Sequence, residues 1–312
     1  MKIKSLAIAS VISLTLSGCA ASAPDAEVPF DGISIVASTN VWGDVASWIG
    51  GSSVEVTSII DSFNQDPHSY EASARDQLAV NDADLVLANG GGYDSFMDTL
   101  AEAAGVEEVL YAYVAEDLEA EDKAATEADS DGHNHDHSSG NEHVWYDFHV
   151  VADFATRIAE RLSTLDPENA SEYETNLSLF QNQINALEDK VAALSSSVQG
   201  RTFISSEPVA EYLLDELKLE NLTPASFSQA IEEQLDVSPK DLLDIENLIK
   251  GGQVDLFVLN IQTASPQIAK IGILAQENGV KTVGLSELLP DGQRFFEWME
   301  SNILAIELAL EL

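Results

Sequence analysis

The stretch DPENASEYETNLSLFQNQINALEDKVAALSSSVQG, residues 166–200, decides the architecture. Tyr173, Leu177, Phe180, Ile184, Leu187, Val191, Leu194 and Val198 recur at alternating spacings of four and three, which places them on one face of an α-helix. Asp166 offers an N-cap, Pro167 suits the first helical position, and Gly200 ends the pattern. Such a helix of about 33 residues is roughly 50 Å long and can cross a whole domain. A coiled-coil seam would show the same spacing, but globular sequence on both sides favours a backbone helix joining two lobes.

Outward from that helix, each half alternates short β-branched runs with amphipathic stretches, the pattern of parallel α/β units. In the first half, Ser34–Ala37, Val54–Ile60, Asp84–Ala88 and Val109–Val114 read as strands, with helices near Val41–Ile49, Ser73–Asn81, Tyr93–Ala103 and Val150–Leu162. In the second, strands are expected at Thr202–Ser205, Val254–Leu259 and Lys281–Leu285, with helices near Val209–Glu216, Pro239–Lys250, Pro266–Asn278 and Gln293–Leu310. The expected fold is α/β: two (β/α)4-type lobes with parallel sheets, residues 32–165 and 200–312, joined by one long backbone helix over 166–199. Residues 116–141 are acidic, rich in alanine and histidine and without apolar period, as expected of a loop.

At the N-terminus, Lys2 and Lys4 precede an apolar run from Leu6 to Leu16 that ends in Leu16-Ser17-Gly18-Cys19. This is a bacterial lipoprotein signal pattern over 1–19, too short for a membrane span, with Cys19 as the lipidated residue and 20–31 as a tether. The expected location is extracytoplasmic, anchored to the cell membrane through lipid on Cys19. Cys19 is the only cysteine, so the remaining chain has neither an internal disulfide nor a thiolate metal site. With 54 Asp plus Glu against 14 Lys plus Arg, the net charge of -40 repels nucleic acid and argues against it as a partner.

Four segments place a candidate metal ligand at a strand exit or loop, where open α/β sheets bind ligands. His68 lies in Asp66-Pro67-His68-Ser69-Tyr70-Glu71, and Pro67 restricts the turn that presents it. His143 leaves the polar loop in Asn141-Glu142-His143-Val144-Trp145. Glu207 sits between a strand and a helix in Ser205-Ser206-Glu207-Pro208, and Glu287 follows the last strand in Ser286-Glu287-Leu288-Leu289-Pro290. Two imidazoles and two carboxylates suit zinc, and also manganese or iron when the carboxylates bind through both oxygens. Asn260 and Gln262, after the strand Val254–Leu259, are candidate donors that would orient a ligating carboxylate; capping the following turn is the alternative role.

On these residues the chain resembles the cluster A-I substrate-binding proteins of zinc, manganese and iron ABC transporters, from about Ile33 to the C-terminus. The resemblance implies a monomeric receptor, not an enzyme, that captures one ion between its lobes with modest closure and delivers it to an ABC permease driven by its ATPase. It also implies that His68 and His143 come from the first lobe and Glu207 and Glu287 from the second. Zinc-importing members usually carry a third histidine where this chain has Glu207, whereas manganese and iron members usually have Glu there. The fourth ligand is most often Asp, one methylene shorter than Glu287. Toward zinc points the run His133-Asn134-His135-Asp136-His137, because histidine-rich loops at this position are similar to those of zinc-importing members. His133, His135 and His137 would capture zinc weakly and hold it near the main site. The expected cargo is Zn2+, with Mn2+ or Fe2+ as the alternative; a metal buffer or adhesin of the same fold is a further one. A metallohydrolase lacks support, since no HExxH helix is present, and Gly90-Gly91-Gly92 is not a phosphate loop.

Overall fold

The structure is a computed structural model that describes residues 30, 32–114, 140–263 and 265–310. Cys19 and His133, His135 and His137 lie outside the described residues.

Short apolar runs become strands, and the inner strands of each sheet are buried on both faces. In the first half, β1 (Ile33–Thr39), β2 (Val54–Ile60), β3 (Leu85–Ala88) and β4 (Val109–Tyr111) form a parallel sheet of order β2-β1-β3-β4. The registers Ile35↔Val56 and Ile35↔Leu85 put β1 inside it. Helices α1 (Asn40–Gly50), α2 (Ala74–Asn81), α3 (Phe96–Ala104) and α4 (Phe148–Leu165) belong to this half. All four residues of β3, Leu85 to Ala88, are buried, which is why the strand reads as an uninterrupted apolar run.

The second half repeats the arrangement: β5 (Thr202–Ser205), β6 (Glu220–Asn221), β7 (Leu256–Asn260) and β8 (Lys281–Leu285) are parallel in the order β6-β5-β7-β8. Its helices are α6 (Glu211–Glu216), α7 (Ala225–Glu232), α8 (Pro239–Lys250), α9 (Pro266–Glu277) and α10 (Phe295–Ala309). Ser238 and Ser265 cap α8 and α9 by accepting from the backbone N–H groups of Asp241 and Ile268, and each is followed by proline at the first helical position. Strand β6 and helix α7 do not appear among the sequence-based elements. Each is short, and α7 carries a single pair of buried large apolar side chains, Phe227 and Ile231.

Between the halves runs α5 (Ala170–Val198), 29 residues long. Its buried face is Tyr173, Phe180, Ile184, Leu187, Val191, Leu194, Ser195 and Val198, with Leu177 partly covered. It starts four residues later than the expected cap. Asp166 instead closes α4, donating its N–H to the Leu162 carbonyl at 2.8 Å, while its carboxylate accepts from Asn169 Nδ2 and Tyr173 Oη at 2.7 and 2.9 Å. Pro167 therefore lies in the connecting turn.

One apolar cluster extends through both halves, from Ile35 and Trp42 by way of Phe180 and Leu187 on α5 to Leu256, Phe295 and Trp298. Polar ties accompany it. Asn40 exchanges two hydrogen bonds with the backbone of Leu289, at 3.0 and 3.1 Å, and Tyr146 Oη donates to the Ser286 carbonyl at 2.8 Å. Among the described residues no helix is long and apolar enough to cross a membrane.

Candidate metal centre

All strands of a sheet run parallel, so their carboxyl ends share one edge, and the connections leaving that edge carry the candidate residues. His68 follows β2, Tyr93 follows β3, His143 follows β4, and Glu207, Asn260 and Glu287 follow or end β5, β7 and β8.

Asp66 shapes the His68 turn. Its carboxylate accepts from His68 N–H at 3.0 Å and Ser69 Oγ at 2.8 Å, closing a 3-10 turn over Pro67–Ser69. The His68 ring stands edge-on to Tyr93, centroids 5.1 Å apart, and its Nε2 is 3.2 Å from Glu142 Oε1. The side chain is 27% exposed, and partial burial holds the imidazole below its ordinary pKa against the opposing pull of Asp66.

His143 is 1% exposed. Its Nδ1 is 2.7 Å from Asn141 Oδ1, while Asn141 Nδ2 donates to the Pro208 carbonyl at 2.8 Å. With the amide nitrogen committed to Pro208, Oδ1 must face the imidazole, which assigns the His143 proton to Nδ1 and a lone pair to Nε2. That Nε2 is buried without a hydrogen-bond partner. Burial, then the charge of His68, pushes the His143 pKa down to about 3, so the ring is neutral at any ordinary pH.

The structure sets Glu207 and Glu287 side by side. Asn260 Nδ2 donates to Glu207 Oε2 and Glu287 Oε1, each at 2.5 Å. Thr263 Oγ1 donates to Glu207 Oε1 at 2.5 Å, and Tyr93 Oη to Glu287 Oε2 at 3.2 Å. Gln262 acts on backbone rather than carboxylate: its Oε1 accepts from the N–H groups of Glu287 and Leu288, at 2.6 and 3.0 Å, and its Nε2 donates to the Phe63 carbonyl at 2.7 Å. The turn that presents Glu287 is thereby tied to the loop that presents His68.

Among the described residues, the tight cluster of potential ligand atoms is His68, Glu142, His143 and Glu232, all within 4.8 Å of one another. Glu207 and Glu287 fall outside that group. Glu142 adjoins His143 in the motif noted above but was not assigned as a ligand, and Glu232 was missed with its helix. Tyr93 was also missed, although it follows Gly90-Gly91-Gly92, whose positive φ values of 81°, 70° and 102° fold the chain back so that its ring meets His68, His143 and Trp145. His149 lies apart on α4, its Nδ1 3.5 Å from Glu188.

The strongest charges acting on these carboxyls are other carboxylates. Burial first, then Glu287 and Asp94, raises Glu142 to about 7. Burial, then Glu142 and Glu207 among others, raises Glu232 to about 8, and burial, then mainly Glu207, raises Glu287 to about 8. Burial also raises Glu207. A carboxyl with a folded pKa above its unfolded value keeps a proton that the unfolded chain releases, so its stabilisation is full below the unfolded pKa and is lost as pH rises through the folded one. The metal-free protein is therefore expected to melt at progressively lower temperature as pH rises from about 5 to about 8, and a bound divalent cation, replacing those protons, to flatten the trend. Scanning calorimetry with and without metal checks this; a flat metal-free profile contradicts it.

Two parallel sheets whose strand ends converge on two imidazoles and a group of carboxyls define a two-lobed metal-binding receptor. The chain belongs to the ZnuA family, zinc-uptake complex component A, periplasmic, whose model matches residues 35–309. It is thus the substrate-binding component of a metal ABC transporter, a receptor and not an enzyme, whose partners are a permease and an ATPase. It is 24% identical over 298 residues to the metal ABC transporter substrate-binding lipoprotein ScbA of Streptococcus cristatus, covering 92% of each chain. It is 28% identical over 204 residues to the manganese-binding lipoprotein MntA of Halalkalibacterium halodurans, covering 65% of this chain and 63% of that one. The solved structure of the periplasmic zinc binding protein TroA from Treponema pallidum superposes with a TM-score of 0.70 at 19% identity, covering 89% of this chain and 99% of that one.

Proposed function

We propose that the chain captures one zinc ion in the cleft between its sheets, with His68, His143, Glu207 and Glu287 as ligands, and passes it to the permease from a lipid anchor at Cys19. The observation that carries the reading is His143, whose buried, unpartnered Nε2 offers a lone pair in a cleft rich in carboxylates. A polar atom left unsatisfied in the interior costs about 1–3 kcal/mol, and a metal ion that takes the lone pair removes that cost. Asn260 and Thr263 hold Glu207, and Asn260 and Tyr93 hold Glu287, so both carboxylates are oriented in advance of binding.

Manganese is the second reading, and the carboxylate content favours it: Glu207 and Glu287, with Glu142 and Glu232 nearby, offer oxygen enough for a larger coordination number. Calorimetric competition between zinc and manganese on metal-free protein, with bound metal counted by mass spectrometry, separates the two. One tight zinc per chain that excess manganese does not displace is the expected result. Tight manganese with only weak zinc makes this a manganese receptor, and the absence of any tight site overturns the ligand assignment.

A further inference from the structure

Glu142 and Glu232 are left over by the four-ligand reading, yet they and the two histidines form the tighter cluster. The two sets differ in depth. Side chains of His68, Glu142 and Glu232 are 27%, 16% and 21% exposed, whereas Glu207 and Glu287 are 4% and 5% exposed. They differ also in readiness. Glu207 and Glu287 are engaged by Asn260, Thr263 and Tyr93, while the contacts that the structure gives the Glu142 and Glu232 carboxylates among the described residues are to the imidazoles, Glu142 at 3.2 Å from His68 Nε2 and Glu232 at 3.8 Å from His143 Nδ1, the nitrogen turned to Asn141, which leaves Nε2 for the ion.

We propose that His68, Glu142, His143 and Glu232 form a second, overlapping cation position at the mouth of the cleft, which takes a divalent metal first and hands it inward to Glu207 and Glu287 while the imidazoles stay bound. The inference rests on the reading of those two glutamates as final ligands. Two observations beyond the acidic cluster point to a cation there. His143 contributes a buried nitrogen with no partner. Glu232 is the last residue of α7, where the carbonyl end of a helix is partly negative and disfavours a carboxylate, so a cation beside it offsets both charges.

The chemistry of capture suits such a station. A hydrated ion sheds its waters one at a time, and partly exposed carboxylates that are not already hydrogen-bonded can replace them singly before the ion meets the buried pair. The imidazoles, common to both positions, would keep the ion from being bare during the transfer.

The test is stopped-flow mixing of the metal-free full chain with Zn2+ and, separately, Mn2+, read by the fluorescence of Trp145, whose ring is 5.2 Å from that of His143. In E142Q/E232Q, association and dissociation are both expected to slow about tenfold with little change in affinity, because a station on the pathway lowers the barrier in both directions. E233Q, on the exposed neighbour of Glu232, removes the same kind of charge and should leave both rates unchanged. If the double variant misfolds, E232Q alone carries the same expectation. Rates for E142Q/E232Q equal to those of E233Q overturn the proposal, and so does weakened affinity with unchanged association, which would make Glu142 and Glu232 final ligands. E207Q/E287Q should lose tight binding but keep a fast, weak fluorescence change. Tight binding retained in E207Q/E287Q defeats the four-ligand reading and the handover with it, and is distinct from the first failure, which leaves that reading standing.

Discussion

His143→Ala is expected to abolish tight metal binding, raising the dissociation constant for zinc by about two to three orders of magnitude. Binding free energies of roughly 10–16 kcal/mol spread over four ligands amount to about 2.5–4 kcal/mol each, and every 1.4 kcal/mol is tenfold. The loss should exceed that for an exposed ligand because His143 has its tautomer set by Asn141, itself fastened to Pro208 across the cleft. No rotation of another side chain can replace a nitrogen aimed from that position. Isothermal titration against a competing chelator measures the change, and the melting profile of the metal-free variant shows that the chain still folds. A His143→Ala protein that retains wild-type affinity contradicts the assignment of Nε2 as a ligand.

Phe180→Ala should have the largest effect on folding. Phe180 is 1% exposed, with ring centroids 6.2 Å from Trp48 on α1 and 4.8 Å from Phe296 on α10, and those two rings meet at 5.1 Å. Removing the middle ring leaves a cavity where both halves lean on α5, at a cost of about 3–5 kcal/mol. Urea unfolding of the metal-free protein should show a lower midpoint with an unchanged slope. Because the apolar cluster is continuous, the loss should appear as one transition by fluorescence and by circular dichroism. Two separated transitions would show that the halves unfold independently.

The parallel architecture was legible because its signals are local. The 4-3 spacing from Tyr173 to Val198 requires a long helix, and runs such as Leu85 to Ala88 suit a strand covered on both faces. His68 and His143 were legible because a turn-forming proline and an aromatic segment single them out among six histidines. Glu142 and Glu232 had no such mark among 54 acidic residues, and only the packing of α7 against the cleft brings Glu232 within reach of His143. Asn260 was legible as a strand-end donor, but that one amide serves two carboxylates from different strands is a tertiary fact. The cap at Asp166 misled for a related reason: Asn169 and Tyr173 draw its carboxylate into the interhelical turn.

The continuous core from Ile35 through Phe180 to Phe295 also has a mechanical consequence. Swinging one sheet away from the other as a rigid jaw would tear open apolar surface at about 25 cal/mol per Å2. The stiffness therefore resides in the interior, and the compliance in the more exposed turn that carries His68. On the proposed ligand set, release then falls to short displacements of the His68 turn, while His143, Glu207 and Glu287 sit in the buried wall of the cleft.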